Sequence, residues 1–221
     1  MSTFTTDLPA LSDQAERLIG LGVHETAGLT ADELRAAAAA LGGEDGLLVV
    51  REDRAPASAL APLLRHADKP GFVVEDMTDV DRFTPVEGLA VPEGPVYVLR
   101  GVDRGDDMSN WSPDEALPAI SEKGRTPLLL VEGSHWVLQQ PAALERNWCF
   151  MTIGSRLRKE KGGLDARTPA VWISNGTGRD GRERRDAPKV GWCWAGNRHT
   201  WLGFASAAAR IPVPGTLGGE G

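Results

Sequence analysis

Gly191-Trp192-Cys193-Trp194-Ala195-Gly196-Asn197-Arg198-His199-Thr200-Trp201-Leu202-Gly203-Phe204 is the stretch on which the reading of this chain turns. It holds three of the seven tryptophans, one of the two cysteines and one of the four histidines. Val190–Ala195, at its head, alternates as a strand does, so Trp192 and Trp194 share one face and Cys193 takes the other. Tryptophan combines a large apolar face with an indole N–H and is costly on a solvated surface. Such density beside Asn197, His199 and Trp201 predicts a buried hub or the wall of a pocket. It names no reaction.

Working outward, Trp148–Ile153 and Ala170–Ser174 read as further strands, antiparallel with Val190–Ala195 at the end of a mixed sheet. The N-terminal part reads as helical. Ser12–Glu16 opens a short amphipathic helix stopped by Gly20 and Gly22. Thr30-Ala31-Asp32-Glu33 is a capping box, and the alanine-rich helix it opens is expected to end at Gly42-Gly43. Leu47–Val50, a helix from Pro56 to about His66, and Gly71–Val74 suggest one strand–helix–strand unit. Glu75–Gly94 reads as loop. Pro95–Arg100 alternates as a strand, and Ser112-Pro113-Asp114-Glu115 is the strongest helix start in the chain, for a helix ending at Gly124. Leu128–Val131 is short and apolar, and Gly133–Gln140 is a short helix that Pro141 interrupts. Asn175–Pro188, rich in glycine and charge, reads as an exposed hairpin loop that buries nothing. The fold expected is α+β: N-terminal helices and a mixed β-sheet ending in antiparallel strands, one compact unit over 1–211 with a frayed tail over 212–221.

With 221 residues and 41% apolar content, the chain can bury a substantial core. No apolar run approaches membrane-spanning length, and the N-terminus has neither the basic start nor the apolar segment of a secretory signal. Two cysteines make no disulfide framework, so the expected setting is cytoplasmic with reduced thiols. The net charge of −7 is uneven: 1–110 carry 9 Lys/Arg against 20 Asp/Glu, and 111–221 carry 15 against 11. That asymmetry suits two regions neutralising each other, or an anionic ligand on the C-terminal side. An acidic chain whose basic segments, Arg156–Lys161 and Arg179–Arg185, are interleaved with acids is not expected to bind nucleic acid.

Several segments together resemble a family. Gln14-Ala15-Glu16-Arg17-Leu18-Ile19-Gly20-Leu21-Gly22 resembles the opening of an actinobacterial family catalogued as a domain of unknown function. The resemblance continues at Pro95-Val96-Tyr97, at Ser112–Ile120 and at Gly124–Leu128. It is closest over Asn147–Arg156 and from Trp172 to Gly203. It spans almost the whole chain in order, and implies an intracellular protein and a single family-wide unit. It implies no activity. The charged loop Gly176–Asp186 looks longer here than in the family, which leaves room for a role special to this member.

The chemistry-bearing residues are few. Cys149, Cys193, His135 and His199 offer metal-ligand types, but none stands in a spacing that zinc sites use, so no metal is expected. Cys193 and His199 are the one Cys/His pair close in sequence. A turn at Gly196-Asn197 would let His199 fold back toward the strand end, making these two the candidate catalytic residues. Gly176–Gly181 imitates a Gly-x-Gly-x-x-Gly fingerprint, but no apolar-periodic helix follows it. Asp76, Asp79 and Asp81 lack the central glycine and terminal glutamate of a calcium loop. The leading expectation is a small-molecule-binding protein, with or without catalysis, whose pocket is lined by Trp192, Trp194, Asn197, His199 and Trp201. The alternative is a non-catalytic interaction or regulatory protein acting through the loop 176–186. No cofactor, ligand identity or oligomeric state follows from these residues.

Overall fold

In the computed structural model, which describes residues 7–41 and 45–214, both capping boxes form. Thr30 Oγ1 accepts the Glu33 N–H at 3.2 Å while the Glu33 carboxylate accepts the Thr30 N–H at 2.7 Å. Ser112 and Glu115 make the same exchange at 3.3 and 2.8 Å. Each box satisfies two backbone donors that a helix start leaves orphaned. The helices are α1 (Leu11–Gly20), α2 (Val23–Thr26), α3 (Ala31–Ala40), α4 (Ala57–Leu60), α5 (Pro113–Glu122) and α6 (Leu130–Gln139). The helix end expected at Gly42-Gly43 lies outside the described residues.

The two principal sheets are built from β1 (Leu47–Val50), β2 (Phe72–Val73), β3 (Val96–Arg100), β4 (Cys149–Met151), β5 (Arg167–Ile173), β6 (Pro188–Trp194), β7 (Leu202–Phe204) and β8 (Ala209–Pro212). The smaller sheet runs β1-β3-β8, all antiparallel. The larger runs β7-β4-β5-β6-β2, antiparallel at its centre and parallel at its two outer pairings. This is an α+β fold with a mixed sheet, and of the three strands read around 148–195 the middle one, β5, lies antiparallel between the other two.

Helix α6 lies between the sheets, and all ten of its residues are buried. Trp136 stacks on Phe150 of β4 with ring centroids 5.1 Å apart. Gly133 lets the helix come that close, because a Cβ there would sit 2.6 Å from Thr152 Cγ2 and 3.0 Å from the Phe150 ring. On the other side His135 Nε2 accepts the Val50 N–H of β1 at 3.2 Å, while Nδ1 donates to Val131 O at 2.8 Å. No helix among the described residues is long and apolar enough to cross a membrane.

Three expectations are corrected. Leu47–Val50 and Phe72–Val73 belong to different sheets, so no strand–helix–strand unit exists; between them α4 gives way to a 3-10 turn and a small hairpin. Pro212 pairs with Tyr97 in the first sheet and Val213 is buried, so the chain at 212–213 is folded and not frayed. The remainder of the expected tail, 215–221, lies outside the described residues. The loop 176–186 is docked. Asp180 is buried, takes Ser174 Oγ at 2.8 Å and pairs with Lys189 at 2.7 Å. Arg184 reaches Glu75 and lies 4.6 Å from the centre of the Phe72 ring.

Candidate functional site

The tryptophan-rich stretch divides across the larger sheet. The register pairs Trp192 with Pro169 and Trp194 with Arg167, on the face opposite Cys193, Thr168 and Trp172. Trp192 and Trp194 meet edge to face at 4.6 Å, and Trp194 is 49% exposed. His199 and Trp201 do not join them. His199 lies 5.4 Å from Trp201, which in turn meets Trp172 at 6.4 Å, so these rings follow the other face. Asn197 is exposed in the turn, its N–H bonded to Trp194 O at 2.9 Å. The five residues expected to line one pocket therefore fall into two groups and a solvated turn.

The expected catalytic pair is not assembled either. No hydrogen bond joins the Cys193 thiol to the His199 ring, and burial pushes that thiol up to about 11. A thiol so placed stays protonated at neutral pH and is a poor nucleophile. Burial also lowers the pKa of His199, whose Nε2 is enclosed without a partner among the described residues.

A different constellation stands between α6 and the smaller sheet. Glu132, in the first turn of α6, is completely buried. Its carboxylate accepts the Tyr97 hydroxyl at 2.7 Å, Arg210 Nε and Nη2 at 2.7 Å each, and the Leu129 N–H at 2.6 Å. Tyr97 on β3 is paired with Pro212 and Arg210 on β8 with Leu99, so alternation puts both on one face of the smaller sheet, and their bonds to Glu132 turn that face toward α6. The two-pronged guanidinium contact is the strong form of this pairing. Arg210 also donates to Pro127 O at 2.9 Å and to Thr126 Oγ1. Burial, reinforced by the Glu132 charge, holds the Tyr97 hydroxyl far above its ordinary range. Burial opposes the Arg210 charge, yet Glu132 keeps it above the usual arginine value.

Two cavities open next to residues of this centre or their chain neighbours. The larger, about 830 Å³, is walled by Val86, Leu89, Leu117 and Pro127, with Arg125 and Arg210 on its polar side. Arg125 Nε and Nη2 are held by Ser206 and Gly101, while Nη1 has no hydrogen bond among the described residues. The smaller, about 190 Å³, is lined by Glu52, Phe83 and the start of α6 at Leu130 and Val131. There burial first, and the Glu132 charge second, raise the Glu52 carboxyl to about 7. A carboxyl so tuned can exchange a proton near neutral pH.

Sequence reading passed over Glu132, Tyr97, Arg210, Arg125 and Glu52. Two signals were available: Glu132 is the single charge ending the Leu128–Val131 apolar run, and Arg210 is the single charge in Phe204–Ile211. The acids at 76, 79 and 81 are separately engaged, with Arg179, with Arg167 and with the backbone and hydroxyl of Ser58. No cluster of three or more His, Cys, Asp or Glu that could hold a metal occurs among the described residues.

A family match covers residues 17–213. The chain belongs to the family of unknown function DUF5701. The part that defines this family takes in Glu52, Tyr97, Arg125, Glu132 and Arg210. No curated protein and no solved structure matches the chain.

Proposed function

We propose that this DUF5701 protein binds a small molecule in the cavity of about 830 Å³ between α5, the 86–90 loop and β8. The observation that carries this reading is the combination of apolar walls with a few convergent polar groups, backed by a buried and fully paired ion centre. The ligand this geometry suits has an apolar body and an acceptor group for the free Nη1 of Arg125. The Glu132–Arg210–Tyr97 centre fixes the wall and leaves Arg210 few donors for a ligand. Two unpaired cysteines, one buried and one half-buried, fit a reducing compartment, and we place the protein in the cytoplasm. In the docked loop 176–186, Arg179, Asp180 and Arg184 pair with the body of the protein, which weighs against the interaction-module alternative, although Arg182, Glu183 and Arg185 stay exposed.

Thermal-shift screening of the full chain against a metabolite library tests this, since a ligand of the native state alone raises Tm. Hits are expected to lose their effect in Ser121→Trp, which fills the cavity from the exposed side of α5, and to weaken in Arg125→Gln. A library without hits, or hits indifferent to both substitutions, overturns the assignment.

A further inference from the structure

Among the described residues, buried side-chain polar atoms without a hydrogen-bond partner are few, and Arg156 Nε and Thr168 Oγ1 are two of them. An unpaired buried polar group costs free energy, so such exceptions mark places with a further partner to find. Topology brings these two to one face. Ser155 and Arg156 form a short strand against Thr84–Pro85. Ser155 Oγ accepts the Leu130 N–H of α6 at 3.0 Å, so alternation turns Arg156 the opposite way, toward α5. Arg167 likewise turns to Asp79, which leaves its neighbour Thr168 on the other face of β5, opposite Cys193. The first turn of α5 covers this region, because the Asp114 N–H bonds to Ala195 O at 3.2 Å and the Ala195 N–H to Ala166 O at 2.7 Å.

Arg156 is 5% exposed, yet the one hydrogen bond of its guanidinium among the described residues is Nη2 to the backbone carbonyl of Asp165 at 2.8 Å. The Asp165 carboxylate is occupied by the N–H and Nε of Arg167. Asp114 is the other acid in reach, but it lies 4.0 Å from Nη1, beyond hydrogen bonding, and is 65% exposed. A buried guanidinium is costly without an anion that fills its donors. Among the described residues the other deeply buried arginines each have one: Arg104 holds Asp106 and Arg210 holds Glu132. We propose that Arg156 and Thr168 bind an oxyanion, the carboxylate or phosphate of a small molecule, beneath the first turn of α5. The planar fork of arginine suits either group, the Thr168 hydroxyl adds a neutral donor, and Asp114 stands at the rim as a competitor.

Isothermal titration of the full chain with sodium phosphate, and separately with sodium acetate, at ionic strength fixed with chloride, tests the assignment. Saturable binding with one ion per chain is expected, and the tighter of the two identifies the source as a phosphate or a carboxylate. Asp114→Asn removes the competitor and should strengthen binding roughly two- to fivefold. Thr168→Val keeps the shape, removes the hydroxyl and should weaken it roughly tenfold. Arg156→Gln should abolish binding. Should that variant fail to fold, the opposed effects of the other two decide. Heats no larger than those of chloride, or binding indifferent to Asp114→Asn and Thr168→Val, overturn the proposal. Ser121→Trp is expected to leave phosphate or acetate binding intact; loss there would place the ion in the larger cavity and also overturn it.

Discussion

Gln14 closes the free edge of β1 at Leu48. Its Oε1 accepts the Leu48 N–H at 2.9 Å and its Nε2 donates to Gly46 O at 2.8 Å, so one buried side-chain amide takes the place of a neighbouring strand. His135 does the same for Val50 two residues on. An edge strand otherwise presents unpaired backbone groups, and here burial excludes water as the alternative partner.

Gln14→Leu keeps the volume and removes both bonds, together with the one that Nε2 donates to Pro9 O at 2.7 Å. It should cost about 1–3 kcal/mol for each backbone group left unpaired. In urea the midpoint should fall while the slope m stays the same. An unchanged midpoint would mean that the edge finds other partners.

A buried histidine and a half-buried glutamate pull the pH dependence in opposite directions. Burial lowers His135 to about 4, so its stability contribution is complete above 6.5 and is lost as pH falls from 6.5 toward 4. That loss amounts to about 3 kcal/mol. Burial and the Glu132 charge raise Glu52 to about 7, so the folded state is penalised progressively as pH rises from 4.5 to 7. Glu52→Gln should therefore raise Tm by a few degrees at pH 8 and by nothing below pH 4.5. A Tm difference that is the same at both pH values would refute the assignment.

Asp180→Ala leaves Lys189 without its carboxylate and Ser174 without its acceptor. A loss of roughly 1.5–3 kcal/mol is expected, with a lower Tm as the readout. Trimming the loop 176–186 to a tight turn should cost at least as much. A trimmed variant that melts with the parent would restore the picture of a free hairpin.

Burial pushes Cys149 as well as Cys193 up to about 11. Neither should react with a disulfide reagent within minutes at pH 7.5, while both should react on unfolding. His199→Ala should change nothing. A fast native-state burst of one thiol that His199→Ala suppresses would revive the Cys193–His199 pair.

Much of the local structure was legible because its causes lie within three or four residues. Thr30 with Glu33 and Ser112 with Glu115 carry their own caps, and the alternation of Val190–Ala195 assigns faces correctly. Pairing partners were not legible. Leu47–Val50 and Phe72–Val73 look like companions, but their neighbours are Val96–Leu99 and Lys189–Val190, selected by sheet-wide burial and not by nearby sequence. The ion centre was hidden for the same reason: Glu132 and Arg210 stand 78 positions apart. Aromatic density at Trp192, Trp194 and Trp201 drew the eye to one stretch, though a β-strand sends successive side chains to opposite sides.

The pairing of β8 with β3 has a consequence for biosynthesis. The strand that completes this sheet leaves the ribosome after every other described strand, and it also carries Arg210, the guanidinium that Glu132 awaits. From the emergence of Arg100 to that of Ala209, roughly 5–20 s at ordinary translation rates, the nascent chain holds one open strand edge, joined once Glu132 has emerged by a carboxylate without its guanidinium.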